Sequence, residues 1–589
     1  MTAAETDAIT LATVWHGFQS TCREMRHVVS RTAQSHIMSR LGDFSAGIWD
    51  YQGQTVAVPI GLPHQFLGSK LTVRYILDDV GRENIAPGDV YLSNDPYHGH
   101  NSHLPDWGFF RPIFYKDELL FFTLARGHQM DTGGGYPGGY FPNGYDIHAE
   151  GLCFPPTKVY ANDQPREEIW KLIWNNVRFP HAQRIDVAAL VAATRLCEQR
   201  VVGLLERYGR DTVLACIEEM IARTEKAIRA EIRRIPDGTY SGEAATDDDG
   251  TNLDVPVWVR CDVTVQGDEI AVDYSRSDPQ QKGFINHPWV TTYSRSAATI
   301  FLFLDPSLAE YHNEGSLRPL TVTAPEGSVV NPRYPATVGG CPVSVGMQVT
   351  EALAQAMSKA VPQRAAASWA RRSGHYMIGR DPRTGEPYVW CPFDSDGGGG
   401  ACYGYDGHQA PAASMSVLAS VQRSEVEEAE IRFPWLYRRY EFTCDRMGHG
   451  RWRGAPGMAW EITNLGDECV LPTGNSDGER TQAAAAAGGT PAPLLESYLI
   501  RDGQRLPFRT HRLYTGQHGD SILKLSGGGA GVGDARQRPA ELVQEDVRNG
   551  IVSIETARRV YGVVLDPTTL AITGRLPADN RLDKQLGDE

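Results

Sequence analysis

Apolar residues recurring at three- and four-residue steps open the chain. Leu11, Val14, Phe18, Cys22, Met25 and Val29 share one face, and Asp7 stands where an N-cap belongs, so the spacing predicts an amphipathic helix over 7–38. The segment 41–45 (Leu-Gly-Asp-Phe-Ser) breaks it. Residues 46–50 and 55–58, joined by a turn at Gly53, read as a hairpin; 71–80 reads as a second helix and 89–92 as a strand. A longer hairpin follows, with two apolar strands at 109–115 and 119–124 joined by the polar turn Lys116-Asp117-Glu118.

Helical periodicity returns over 183–234 as two long helices interrupted near Tyr208-Gly209, and Pro236-Asp237-Gly238 ends the second. From 239 to about 323 the pattern is strand-like. Val257, Val259, Cys261, Val263 and Val265 alternate with Arg260, Asp262 and Thr264, and 269–274 beyond Gly267 forms the partner strand. A helix is expected over 345–361. The rest is Gly-rich and β-leaning until short helices at 540–548 and 554–561. The run Ala483 to Ala487, followed by two glycines, reads as a surface loop. The fold class expected is α+β and multi-domain, with a mixed N-terminal domain, long helices, and β-rich middle and C-terminal parts. Five segments divide it: 1–160 mixed, 161–238 helical, 239–335 β-rich, 336–535 mixed and Gly-rich, and 536–589 a short helical tail.

Composition narrows the class. At 589 residues the chain exceeds one hydrophobic core, and its 41% hydrophobic and 22% charged residues are those of an ordinary soluble protein. A formal charge of -15 with scattered Lys and Arg excludes a nucleic-acid groove. No apolar run approaches the roughly 18 residues of a membrane span. The first seven residues have neither the basic nor the apolar part of a signal peptide, so a cytoplasmic location is expected. Ten cysteines without a C-x-x-C pair exclude a disulfide framework; Cys153, Cys391 and Cys402 are the ones to check for reactivity. No G-x-x-x-x-G-K-[ST] loop occurs. Gly133 to Gly138 matches G-x-G-x-x-G but opens no helix, and Gly474 to Gly478 matches G-x-S-x-G without a surrounding βαβ series. Neither is taken as a site.

The candidate chemistry sits at the outer ends of the long hairpin. Asn94 to Asp106 holds Asp95, His98, His100, His103 and Asp106, and Arg126 to Gly134 holds His128 and Asp131. Paired strands bring those ends together, and imidazole nitrogen with carboxylate oxygen suits Zn, Mn or Fe. The aromatic residues Tyr136, Tyr140, Phe141 and Tyr145 are candidates for an apolar substrate wall.

At these residues the chain resembles the hydantoinase B family, which includes the B-type components of ATP-dependent hydantoinases, 5-oxoprolinase, lactamases and ketone carboxylases. The resemblance rests on Asp43-Phe44-Ser45, Asn94-Asp95-Pro96-Tyr97, His103-Leu104-Pro105-Asp106, Arg126-Gly127-His128, Asp131-Thr132-Gly133-Gly134 and Glu150-Gly151-Leu152. It continues through Pro236-Asp237-Gly238, 396–401, 450–454 and 527–531, collinear from about 7 to 566. Two departures stand out: the loop 99–103 is one residue longer than usual, and His128-Gln129 replaces a common pair of histidines.

The resemblance implies a metal on His103, Asp106 and His128, with Asp43 as a further ligand. Asp131, Asp95 and Glu150 are then candidates for orienting ligands or for general-base work. It also implies an actin-like hydantoinase A-type partner that binds ATP and Mg and phosphorylates a carbonyl oxygen of a small-molecule substrate, within a hetero-oligomer. The leading expectation is a metal-dependent subunit of a cyclic-amide hydrolase. A ketone-carboxylase subunit and a scaffold with a structural metal are the alternatives.

Overall fold

The computed structural model describes residues 7–58, 62–409, 421–423 and 425–577; residues 1–6, read above for a leader, lie outside it. A seven-stranded antiparallel sheet forms its N-terminal part: β1 (Phe44–Asp50), β2 (Thr55–Ala57), β3 (Val90–Ser93), β4 (Asp106–Tyr115), β5 (Glu118–His128), β6 (Thr157–Ala161) and β7 (Gln164–Pro165). The strand order is β2-β1-β5-β4-β3-β6-β7. The two central strands are those of the long hairpin. They reach beyond the apolar runs to Asp106 and His128 because ladder pairing continues through the polar ends.

Helix Ala8–Thr32 begins at Asp7, whose carboxylate accepts from the Ile9 and Thr10 amides, and buries the expected face against this sheet. It stops well short of residue 38. The reason is remote in sequence: buried Asp186 accepts from the Gln34 and Ser35 amides at 2.7 and 3.0 Å, holding the chain extended. Ser35 then caps the short helix His36–Ser39. Asp186 lies on helix Pro180–Tyr208, which with Arg210–Ile232 forms the two long helices, separated at Gly209 as the sequence indicates.

A second sheet holds β8 (Gly238–Thr246), β9 (Val257–Gln266), β10 (Glu269–Asp273) and β11 (Leu320–Thr323), in the order β11-β10-β9-β8. Along β9 the odd positions are buried and the even ones partly exposed up to Val265, as the alternation requires. Helix Trp289–Phe301 interrupts the stretch that reads as strand. It is buried on nearly every side, so no polar face marks its period, and its β-branched content reads as strand. Helix Val345–Ala360 packs on it and on β8.

The C-terminal part carries a four- and a five-stranded sheet. Its Gly runs serve close packing: a Cβ on Gly529 would lie 1.9 Å from the Gly399 carbonyl oxygen. The alanine run is not a surface loop. Ala483 and Ala486 are buried with Ala365, Ala401 and Ala530, where small side chains let these backbones approach. No helix among the described residues is long and apolar enough to cross a membrane.

Arg111 of β4 ties the first sheet to helix Pro180–Tyr208. It is buried and pairs with Glu198 at 3.0 Å and Asp163 at 2.9 Å. Arg111→Met takes the buried partner from Glu198 and leaves Asp163 only the exposed Arg195, and the expected cost is about 2 kcal/mol, read as a lower denaturation midpoint. Arg195→Met, which removes an exposed partner of the same Asp163, should leave the midpoint within about 0.5 kcal/mol. Equal shifts for the two would refute the role of the buried tie.

Candidate metal centre

Three neighbouring strand ends build the centre. Asp106 starts β4 directly opposite His128, the last residue of β5. On the other side of β5, Phe44 pairs with Gly127, and the His128 amide donates to the Asp43 carbonyl at 3.1 Å. His103 comes from the loop before β4. Asn101 braces that loop, its side-chain amide donating to the carbonyls of Asn94, His103 and Asp106.

Asp106 Oδ1 lies 3.3 Å from His103 Nε2 and 3.4 Å from His128 Nδ1. One ligand atom from each of the three residues falls within 4.8 Å of the others, and all three are buried. Asp43 is not within that tight set. It is joined through fully buried Gln65, whose amide donates to Asp43 Oδ1 at 2.9 Å and to Asp106 Oδ1 at 3.3 Å. Gln65 carries no signal in the sequence, since nothing local marks a glutamine that bridges two distant carboxylates.

Electrostatics follow from burial. Desolvation pushes the Asp43 carboxyl up to about 6 against the pull of His128. Burial also opposes charge on Asp106 and His103, but the two attract strongly enough to reverse it. Asp106 is held well below the usual carboxylate range and His103 above the usual imidazole one.

The residues fit a divalent cation. Asp106 with the two imidazoles, and Asp43 joined through Gln65, form a mixed N/O donor set of the kind that suits a divalent cation. His103 Nδ1 donates to the Gly339 carbonyl at 2.8 Å, which leaves Nε2, the nitrogen beside Asp106, as the one that would bind a cation in place of its proton. His128 Nε2 is buried without a hydrogen-bond partner among the described residues. Tyr140 covers the rings, stacked on His128 with centroids 6.0 Å apart and edge-on to His103 at 5.9 Å.

The other expected residues take different places. Asp131 is buried and fully engaged: its carboxylate accepts from the Arg178 amide and guanidinium and from the Gly133 amide. Asp95 caps its own loop through the Tyr97 and His98 amides and the His98 ring. Glu150 Oε1 accepts from the amides of Val338 and Gly339 at 2.9 and 2.7 Å, while Oε2 is buried without a partner among the described residues. Burial raises its carboxyl to about 8. The lengthened loop turns His98 outward, with 65% of its side chain exposed. Of the four aromatic candidates only Tyr140 reaches the centre; Tyr145 is 81% exposed. Burial raises all three candidate thiols, Cys391 to about 11, so none is an activated nucleophile. Ser476 of the G-x-S-x-G match is buried, bridged to Ser373.

Comparison with known proteins identifies the family. A family model described as Hydantoinase B/oxoprolinase matches residues 7–535. The beta chain of caprolactamase from Pseudomonas jessenii is 34% identical over 95% of this chain and 96% of its own length. The crystal structure of the ATP-dependent caprolactamase from that organism superposes with a TM-score of 0.88, covering 99% of both chains at 32% identity. A proposed B-type component of a D-/L-hydantoinase from Pseudomonas sp. (strain NS671) is 30% identical over 95% of each chain. An acetone carboxylase structure shares the fold, with a TM-score of 0.86, 19% identity, and coverage of 99% of this chain and 84% of that one. With the family match covering residues 7–535, the chain belongs to the hydantoinase B/oxoprolinase family.

Proposed function

We propose that the chain is the metal-dependent catalytic subunit of a two-component, ATP-dependent cyclic-amide hydrolase. The observation that carries this reading is the buried His103, Asp106 and His128 triad, in a chain similar over nearly its whole length to the beta chain of a caprolactamase. The partner on this reading is an actin-like, ATP-binding subunit that phosphorylates the carbonyl oxygen of the ring amide.

Hydrolysis of a cyclic amide then needs water at the activated carbon and a proton on the leaving nitrogen. Addition of water and cleavage of the C–N bond open the ring to an acyl phosphate, and a second water releases phosphate. A divalent metal on His103, Asp106 and His128, with Asp43 beside them, would supply hydroxide near neutral pH or polarise an oxygen.

The chain's own residues prepare that site. Gln65 holds the Asp43 and Asp106 carboxylates in place. Tyr140 closes one side against bulk water. Glu150 acts at one remove: it fixes the Gly339 peptide through the amide, and the carbonyl of that residue sets the His103 ring. Asp131 and Asp95 brace the loops on either side of the cluster.

Two outcomes test this. The purified chain with its partner should open lactam rings at the expense of ATP, and His103→Ala should lose bound metal and turnover together. Full activity in a metal-free His103→Ala enzyme would refute the site, and label from 14C-bicarbonate in the product would replace hydrolysis with carboxylation. Glu150→Ala should weaken metal binding about 10- to 100-fold in a chelator competition. Glu150→Gln, which keeps an oxygen for the Val338 and Gly339 amides, should stay within about threefold of the parent. Equal losses in the two variants would show that the carboxylate itself is required.

A further inference from the structure

Among the described residues, four arginines are less than 2% exposed: Arg111, Arg126, Arg372 and Arg538. Three of them meet a carboxylate. Arg111 pairs with Glu198 at 3.0 Å, Arg372 with Asp396, and Arg538 with Asp406 at 2.8 Å. Arg126 makes no such pair among the described residues, and its Nε and Nη2 have no hydrogen-bond partner there. A buried guanidinium without a carboxylate is costly to keep, so what its remaining nitrogen holds carries weight.

Arg126 stands on β5 two residues before His128, and the two side chains therefore leave the same face of the sheet. Opposite it on β4 is Gly108, where a Cβ would lie 3.1 Å from Arg126 Nε. The missing side chain leaves the guanidinium room over the sheet, 5.9 Å from the Phe110 ring centroid. Nη1 donates to the Gln65 carbonyl oxygen and, at 3.2 Å, to Ser69 Oγ. The Ser69 hydroxyl gives its one proton to the same carbonyl at 3.2 Å, so it accepts from the arginine. The main chain of Gln65 is thus gripped from two sides, and its side-chain amide donates to Asp43 and Asp106. Gln65 lies on the single helical turn Pro63–Phe66, which is too short to hold its own position. Burial draws the Arg126 pKa down to about 10 while the charge of Asp106 opposes this, so the guanidinium stays charged at neutral pH.

We propose that Arg126 is a positioning residue of the candidate centre: by fixing the Gln65 main chain it sets the Gln65 amide across Asp43 and Asp106, and with it the spacing of the two carboxylates. This rests on the metal-centre reading above and adds to it a residue that hydrogen-bonds none of the ligands.

The test reads Zn(II) and Mn(II) affinity of the full chain by chelator competition, beside the denaturation midpoint of the metal-free protein. Arg126→Met should weaken metal binding about tenfold, and Gln65→Met about 10- to 100-fold. The decisive comparison is the double variant. Because the arginine acts through Gln65, Arg126→Met should cost no more than about twofold once residue 65 is methionine. Arg126→Lys, which keeps a charged donor for the Gln65 carbonyl, should recover most of the affinity. Ser69→Ala loosens the same carbonyl without removing a charge; it should weaken binding about threefold, and that loss too should vanish in the Gln65→Met background. It decides the matter even where Arg126→Met fails to fold. Losses that multiply in the double variants overturn the proposal, as does a lower midpoint in Arg126→Met with metal affinity unchanged. A wild-type chain that takes up neither ion defeats the metal-centre reading itself, and the proposal with it.

Discussion

The candidate centre depends on one constraint, the register of β4 against β5. With Asp106 opposite His128, a carboxylate and an imidazole are delivered to the same strand end by backbone hydrogen bonds rather than by flexible loops. A slip of one residue would turn one of them to the other face of the sheet. The same ladder continues into β1, where the His128 amide meets the Asp43 carbonyl and sets the second carboxylate beside the first. Burying such groups is expensive, and the surrounding packing supports that cost by holding them close enough to compensate each other or a cation.

How legible this was depends on how local each interaction is. The hairpin could be read because its apolar runs, polar turn and flanking histidines lie within about 25 residues, and pairing does the rest. The long helices and β9 were equally plain, since each shows its period to solvent on one side. Helix Trp289–Phe301 was not, because burial on all sides erases the contrast that periodicity relies on. The early end of the first helix was hidden for another reason. The groups that stop it are the amides of Gln34 and Ser35, and the carboxylate that captures them is 151 residues away from Ser35. Gln65 and the Glu150 to Gly339 to His103 path are of that kind too: ordinary residues given a role only by contacts across the chain.

The two halves of the molecule contribute differently to the site. Metal-type ligands come from the first sheet, whereas Gly339, Tyr376, Val389 and Cys391 come from segments beyond residue 335. Tyr376 stacks on Tyr140, whose ring lies over His128, so the C-terminal half touches the centre through an aromatic pair. The ligand cluster and the wall opposite it are thus built by separate stretches of the chain. The fold itself is shared, at 19% identity to this chain, with a structure whose name refers to a ketone.

Polar satisfaction separates the acidic residues more sharply than their types do. Asp131 looked as good a candidate as Glu150 in sequence, yet its oxygens already receive Arg178 and two backbone amides, and a carboxylate so engaged is structural. Glu150 Oε2 and His128 Nε2 are buried and unpartnered among the described residues. Natural interiors leave few such atoms, and each one demands an explanation. Such atoms occur elsewhere in this interior too, so what singles out His128 Nε2 is the place of its ring in the cluster with Asp106 and His103.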